Sequence, residues 1–260
     1  SVPLIASSIM SKKLAEGIDA LVLDVKFGKG AFMPELKRAK KLASTLVEIG
    51  QSSGKTVTAL LTDMGTPIGC TVGNALEVNE AIQVMRGEGP EDTRALTVEL
   101  GAHMLVLGKK ADTVDEGKRQ MAQVLNDGRA LDKFAAITEE QGGNPRVCDN
   151  PSVLPSASHR TEILAKESGF ISQIDPIQVA KAALDVKAGR QKKEDSVDPA
   201  TGVEIYTKKG SVVVTGTRLA TLFHNGEGES EARLALEGAF EISDTAPAQS
   251  KLIEEVLVAK

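Results

Sequence analysis

Ser8 and Lys12 are the residues near the start of the chain whose types and spacing suit the binding of a polar ligand. They lie four residues apart in a predicted helix that ends at Gly17, so their side chains share one face. A hydroxyl group donates or accepts a hydrogen bond, whereas an ammonium group only donates. The pair suits a ligand with carbonyl oxygens and an acidic N–H, such as a pyrimidine base. The spacing alone favours the alternative, a solvent-exposed helix end with Ser8 as its cap.

Two further segments combine glycine with polar groups. Residues 66–80 carry Gly69 and Gly73 before a predicted helix that Asn74 would cap, and Glu80 lies on that helix. Carbonyl oxygens next to a carboxylate are ligands that hard cations prefer, but the pattern alone favours an ordinary capped helix. Residues 28–33 form a glycine-rich loop that could cradle a phosphate through N–H groups. The P-loop pattern is absent from the sequence, and a tight turn is the favoured interpretation.

Composition restricts the classes of partner. The 260 residues carry a net charge of −5, a pI of about 5.4, one tyrosine and no tryptophan, which argues against a nucleic-acid partner. Two cysteines form no disulfide framework, and no apolar run approaches the ~20 residues that span a bilayer. We therefore expect a cytoplasmic protein without a membrane partner. The histidines show no zinc spacing, and the lysine pairs at 192–193 and 208–209 are interpreted as solvated loops.

The periodicity of apolar residues predicts an α/β fold. Strands are expected at 20–25 and 56–62, with a helix from Pro34 to Gly50 between them. Helices follow at 74–85, 92–107, 114–125 and 131–141, and the proline-rich residues 144–158 are predicted to be a linker. Beyond it, short strands at 161–174 and 202–224 alternate with helices at 176–188 and 230–239. The pattern indicates an α/β sheet flanked by helices, followed by a small α+β C-terminal domain.

Several segments give the chain a more specific resemblance. PLIASSIMSKK at 3–13, DVKFGKGAFM at 24–33 and TPIGCTVGNALEVNE at 66–80 resemble the pyrimidine-nucleoside and thymidine phosphorylases, and GRQKKED at 189–195 resembles a segment of their C-terminal domain. The resemblance implies a fold of the nucleoside phosphorylase and phosphoribosyltransferase type. It also implies three regions: 1–17 as the end of a helical domain, 18–150 as the α/β phosphorylase domain and 151–260 as the α+β C-terminal domain.

The same resemblance assigns roles to residues. Ser8 and Lys12 would contact the pyrimidine base, with Lys12 as the catalytic group that stabilises the leaving base, and an arginine of the family would lie upstream of Ser1. The carbonyl groups of Ile68 and Thr71 and the carboxylate of Glu80 would contribute to a potassium site. The family usually has leucine and alanine at the positions of Ile68 and Thr71, but only their carbonyl oxygens would act.

The implied activity is a reversible phosphorolysis. Inorganic phosphate, the co-substrate, attacks C1′ of thymidine, uridine or deoxyuridine and yields the free base and an α-pentose 1-phosphate, with no organic cofactor. The resemblance implies a homodimer in the full-length form. The family's phosphate-binding segment would precede Ser1, so we expect an N-terminally truncated chain that is inactive alone.

Two alternatives to this activity stay open. Anthranilate phosphoribosyltransferases share the implied architecture, but they would need an acidic motif for a magnesium–diphosphate site, and we find no matching motif. The other alternative is a non-catalytic fragment that only packs against or binds a partner.

Overall fold

The structure is a computed structural model that describes residues 1–258. They form two compact units, each built from segments that are separated in the sequence. The first unit contains Ser1–Gly65, Arg94–Val124 and the C-terminal segment that starts at Ser250, and the second contains Thr66–Thr93 and Leu125–Gln249.

The described residues contain eight α-helices and ten strands. The helices are α1 Val2–Ala15, α2 Leu36–Ser52, α3 Asn74–Met85, α4 Glu91–Leu107, α5 Val114–Asn126, α6 Arg129–Glu140, α7 Pro176–Asp185 and α8 Glu229–Glu237. The strands are β1 Ala20–Phe27, β2 Thr56–Asp63, β3 Thr71–Val72, β4 His159–Leu164, β5 Gly169–Ile174, β6 Gly202–Ile205, β7 Val212–Val213, β8 Arg218–His224, β9 Phe240–Ser243 and β10 Ile253–Val258. Across this part of the chain, every helix is too short or too polar to cross a membrane.

The first unit contains a three-stranded sheet in the order β1-β2-β10. β1 and β2 are parallel, and α2 provides the crossover that parallel neighbours require. Apolar residues of α2 recur at spacings of three and four, and Ala39, Leu42 and Leu46 are buried against the sheet residues of the same core. β2 is buried from Val57 to Thr62, the pattern of a strand covered on both faces. The parallel pair and α2 confirm the predicted α/β sheet.

β10 is an element that the sequence pattern did not predict. It pairs antiparallel with β2, so that the sheet is mixed rather than purely parallel. The salt bridge between Lys40 on α2 and Glu255 on β10, at 2.7 Å, joins the added strand to the helix. The strand therefore completes the sheet from a segment far from it in sequence.

The second unit is α+β and contains two antiparallel sheets, β3-β6-β8-β4 and β7-β5-β9. Their apolar faces share one core with α7 and α8, in which Ile171, Val203, Leu222 and Leu236 are fully buried. Asp175 caps α7, because its side chain accepts hydrogen bonds from the first backbone N–H groups of that helix. This arrangement confirms the alternation of short strands and helices expected after residue 158.

The segment predicted to be a linker is instead packed. Residues 145–148 and 151–153 form two 3-10 turns, whose caps are Asn144 and Asn150. Val147 and Cys148 are buried in a small cluster with Ile82 of α3. Proline and asparagine here mark capped turns, and the linker prediction is wrong for this reason.

The two compact units differ in kind from the three predicted regions, 1–17, 18–150 and 151–260. Each unit combines separated segments, whereas each predicted region is continuous in sequence. The division at residues 17 and 150 stays a prediction.

Candidate functional site

Ser8 and Lys12 lie one turn apart on α1, and both are exposed. The opposite face of α1 carries Ala6 and Met10, which are buried in the core of the first unit. The next residue, Lys13, forms a salt bridge with Glu16 at 3.2 Å, whereas Lys12 has no ion-pair partner within residues 1–258. The helix therefore presents a hydroxyl and an ammonium group that the described chain leaves available to a ligand.

The glycine-rich loop after β1 is closed by hydrogen bonds within the protein. The N–H of Gly28 donates to the carbonyl of Pro34, and that of Ala31 to Gly28, both at 3.0 Å. The N–H of Gly30 donates to the carbonyl of Met64, also at 3.0 Å. These three N–H groups already donate to carbonyl oxygens of the protein and are not available to a phosphate. This agrees with the tight turn favoured by the sequence.

Asp24, Lys26 and Thr62 form a polar cluster at the end of the parallel strand pair. Lys26 Nζ lies 2.6 Å from Asp24 Oδ2, and the hydroxyl of Thr62 donates to Asp24 Oδ1. The carboxyl ends of parallel strands are where open α/β sheets bind ligands. Asp24 and Lys26 belong to the segment that carries the resemblance, whereas Thr62 has no feature in the sequence that singles it out.

Glu80 is a buried carboxylate, with only 9% of the residue exposed. Its Oε2 accepts a hydrogen bond from the N–H of Cys70 at 2.7 Å and another from the hydroxyl of Thr71 at 3.1 Å. Both donors are neutral and belong to residues 66–73, which we call the 66–73 loop. The structure thus brings together Glu80 and Thr71, two of the three residues predicted at the cation site, and the third, Ile68, lies in the same loop.

The two peptide groups on either side of Gly69 are bound by an oppositely charged pair of side chains. The N–H of Gly69 donates to Asp92 Oδ2 at 3.3 Å, and Lys208 Nζ donates to the carbonyl of Gly69. Lys208 and Asp92 also form a salt bridge at 2.7 Å. The interpretation of Lys208 as a solvated loop residue is therefore wrong, and Asp92 and Lys208 are neighbours of the site that the sequence analysis missed.

The carbonyl groups of the 66–73 loop fall into two sets. Those of Gly69 and Cys70 accept hydrogen bonds from Lys208 Nζ and from the N–H of Ile205, the latter at 2.7 Å. Because the Ile205 bond engages Cys70, the facing pair Thr71–Glu204 is a non-hydrogen-bonded pair of the β3–β6 ladder, and the carbonyl of Thr71 points away from β6. The two carbonyls that the protein uses internally are thus different from those predicted to bind the cation.

Two glycines allow the close approach of this loop. Gly69 has φ 73°, and a Cβ there would lie 2.1 Å from Glu80 Oε1. Gly73 has φ 141°, and a Cβ there would lie 2.4 Å from the carbonyl oxygen of Thr201. Both positions therefore require glycine, for conformation as well as for space.

The start of α3 differs in one detail from the expected cap. Gly73 is the N-cap residue and Asn74 is the first residue of the helix. The side chain of Asn74 donates instead to the carbonyl of Ala188 at 2.8 Å, and Glu77 accepts from the N–H of Gly73 at 3.0 Å. The predicted cap is wrong because the side chain of Asn74 is hydrogen-bonded to the segment after α7 and not to the start of α3.

Cys70 and the histidines give no sign of catalytic chemistry. Burial raises the pKa of the Cys70 thiol, and nearby Lys208 acts in the opposite direction with a smaller effect. The thiol is therefore protonated at neutral pH, which suits a packing residue. His103 faces Glu99 at 3.5 Å, and His224 Nε2 lies 3.1 Å from the hydroxyl of Thr161.

The donor set of the loop fits a monovalent cation better than a transition metal. Across the described residues, no three His, Cys, Asp or Glu side chains meet in a metal-binding arrangement. A cation bound here would rely on carbonyl and hydroxyl oxygens together with the single carboxylate of Glu80. Potassium is a cation that proteins bind through such neutral oxygens.

The chain combines a mixed α/β unit, which contains a parallel strand pair, with an α+β unit of antiparallel sheets. It is therefore an α/β protein with an additional α+β unit. Within that class, the family model described as "Glycosyl transferase family, a/b domain" matches residues 1–131. The model described as "Pyrimidine nucleoside phosphorylase C-terminal domain" matches residues 170–243. The chain belongs to this glycosyl transferase family, in the group of the pyrimidine-nucleoside phosphorylases.

Curated relatives agree with the family. The chain is 47% identical to the pyrimidine-nucleoside phosphorylase of Bacillus subtilis over 89% of its own length and 53% of the relative's. It is 44% identical to that of Geobacillus stearothermophilus over 94% of its length and 57% of the relative's. It is 43% identical to that of Staphylococcus haemolyticus over 93% of its length and 56% of the relative's. The chain thus spans little more than half the length of these relatives.

Proposed function

We propose that this chain carries the base-binding side of a pyrimidine-nucleoside phosphorylase. The observation that supports the proposal most is the exposed pair of Ser8 and Lys12 on one face of α1, whose polar groups the described chain leaves available. The identity to three pyrimidine-nucleoside phosphorylases extends over 89–94% of the chain. The family model that matches residues 1–131 includes this helix.

In the proposed reaction, phosphate attacks C1′ of a pyrimidine nucleoside and the bond from C1′ to the base nitrogen breaks. The bonding electrons leave with the base, so negative charge develops on its ring and carbonyl oxygens. Lys12, as a donor with a positive charge, stabilises that charge, and the hydroxyl of Ser8 orients the base. Stabilisation of developing charge by positioned donors is a large term in enzyme catalysis.

The proposal includes a potassium ion at the 66–73 loop. Glu80 supplies the carboxylate, and Ile68 and Thr71 supply carbonyl oxygens. Two observations support this. The neighbouring carbonyl groups of Gly69 and Cys70 accept hydrogen bonds from the protein, so they are distinct from the carbonyl groups proposed as ligands. The hydrogen-bond donors to Glu80 are neutral and leave its negative charge without a cationic partner among them. The ion would neutralise the buried carboxylate and fix the loop.

The remaining parts of the proposal follow the family. Phosphate is the co-substrate and no organic cofactor takes part, the whole protein is a cytoplasmic homodimer, and the domains divide at residues 17 and 150. Binding of a nucleoside and phosphate is consistent with the acidic chain, because one phosphate needs only a local positive pocket.

Replacement of Lys12 by alanine tests the base-binding role. In the chain extended by the upstream part of the Bacillus subtilis relative, we expect Lys12→Ala to lower kcat/KM for uridine about 10- to 150-fold. That is the effect of losing a hydrogen bond from a charged group, about 1.5–3 kcal/mol. The control is Lys13→Ala, which removes the adjacent lysine and its bond to Glu16. Equal kcat/KM in Lys12→Ala and the parent would remove Lys12 from the base site.

Replacement of Glu80 by glutamine tests the cation site. In the extended protein, we expect activity to rise when potassium replaces sodium, and Glu80→Gln to weaken that rise because the carboxylate charge is lost. Glu88→Gln, at an exposed position of the same region, is the control and should keep the full response. Equal parent activity in sodium-only and potassium buffers would show that the segment is only a loop and its helix.

A further inference from the structure

Gly69 is bound through both of its backbone polar groups by one charged pair of side chains. Its N–H donates to Asp92 and its carbonyl accepts from Lys208, while Lys208 and Asp92 contact each other at 2.7 Å. The three groups form a closed ring of interactions. Lys208 is 139 residues from Gly69 in sequence, so the ring joins the 66–73 loop to a distant turn of the same unit.

The turn that carries Lys208 is itself held. The N–H of Lys208 donates to the hydroxyl of Ser211 at 3.0 Å, and the N–H of Ser211 donates to the carbonyl of Lys208 at 2.9 Å. The turn lies between β6 and β7, and β6 pairs with β3 of the loop. A lysine ammonium at the end of a flexible stem is thereby anchored at its base and at its tip, which lowers its freedom in the folded state.

The residues that follow Gly69 are the donors to Glu80. Cys70 donates through its N–H at 2.7 Å and Thr71 through its hydroxyl at 3.1 Å. Any rotation of the Gly69–Cys70 peptide plane moves the Cys70 N–H and the Gly69 carbonyl together, because both belong to that peptide group. Holding the carbonyl of Gly69 therefore holds the donor to Glu80.

We propose that Lys208 is a positioning residue, which acts through the Gly69 carbonyl to fix the 66–73 loop around Glu80. Its importance for catalysis rests on the proposed function, in which Glu80 binds potassium, but its effect on the loop does not. The two parts can be separated by measuring loop protection and the response to potassium independently.

The experiment measures hydrogen exchange of the Cys70 amide in the 260-residue chain, in sodium chloride without potassium. We expect Lys208→Met to raise the exchange rate of this amide about three- to tenfold, the range for a net hydrogen bond and a partly exposed ion pair. Lys209→Met is the matched control, since Lys209 has no ion-pair partner within the described residues. Lys208→Arg keeps the charge and should restore protection to within about twofold of the parent.

A second variant guards against a general loss of stability. Asp92→Asn leaves Lys208 in place but removes its charged partner, and should accelerate Cys70 exchange while amides in α7 keep the parent rate. Unchanged Cys70 exchange in Lys208→Met, or an equal acceleration in Lys209→Met, would overturn the proposal. So would acceleration confined to α7 in Asp92→Asn.

Potassium chloride forms the separate arm. Slower Cys70 exchange in the parent chain with potassium than with sodium supports the proposed cation site. Equal exchange in the two salts counts against a cation site in this chain, while the role of Lys208 is decided by the sodium data alone.

Discussion

The 260 residues alone are expected to release no thymine or uracil from a nucleoside and phosphate. The chain spans 53–57% of the length of its Bacillus and Geobacillus relatives. The resemblance assigns the phosphate-binding segment and the base-binding arginine to the part outside that span. Without a placed phosphate the attack on C1′ becomes a dilute bimolecular encounter, and positioning of reactants contributes ~7–11 kcal/mol to such reactions.

Free base released from uridine or thymidine is measured by chromatography, in reactions with and without phosphate. Each ~1.36 kcal/mol of positioning energy that is lost lowers the rate tenfold, so we expect no detectable turnover. Measurable phosphorolysis by the purified chain would mean that the whole site lies within these residues, and the assignment of its phosphate-binding part elsewhere would be wrong.

Gly28→Ala is expected to destabilise the first unit by about 2–5 kcal/mol. Gly28 has φ 96°, and a Cβ there would lie 2.4 Å from the backbone nitrogen of Gly65 and 2.8 Å from the carbonyl carbon of Met64. The conformational cost for an L-residue is about 1–2 kcal/mol, and forced backbone shifts add about 1–3 kcal/mol. The tight turn after β1 would have to move away from residues 63–65.

Gly54→Ala is the matched control for this substitution. Gly54 lies in the same unit with φ 71°, but a Cβ there would meet nothing within 4 Å. It should cost only the conformational part, about 1–2 kcal/mol. The opening free energy of β2 amides, from hydrogen exchange, reports on the first unit separately. Equal losses of opening free energy in the two variants would show that the loop accommodates the added Cβ at no steric cost.

Local patterns in the sequence were sufficient for much of the fold. The spacing of apolar residues marked α2, and the helix predicted at 74–85 has the bounds of α3. β10 escaped prediction because Glu254 and Glu255 interrupt its apolar pattern, and its pairing partner β2 is remote in sequence. An edge strand with charged residues has little local signal of its own.

Contacts of the candidate site that are local in sequence could be predicted, whereas contacts between distant segments could not. Thr71 and Glu80 lie close in sequence, so the glycines and the resemblance were enough to suggest that they meet. Lys208 lies 139 residues from Gly69 and 116 from Asp92, and a lysine pair in a polar turn resembles any solvated loop. Contacts over such distances depend on the tertiary fold, which the periodicity of single segments does not encode.

The most direct test of the proposed function is phosphate-dependent release of base by the chain joined to the upstream part of the Bacillus subtilis relative. We predict that this extended protein releases uracil or thymine from the nucleoside only when phosphate is present, with formation of a pentose 1-phosphate. Absence of base release in a folded extended protein, or release at the same rate without phosphate, would contradict the assignment as a pyrimidine-nucleoside phosphorylase.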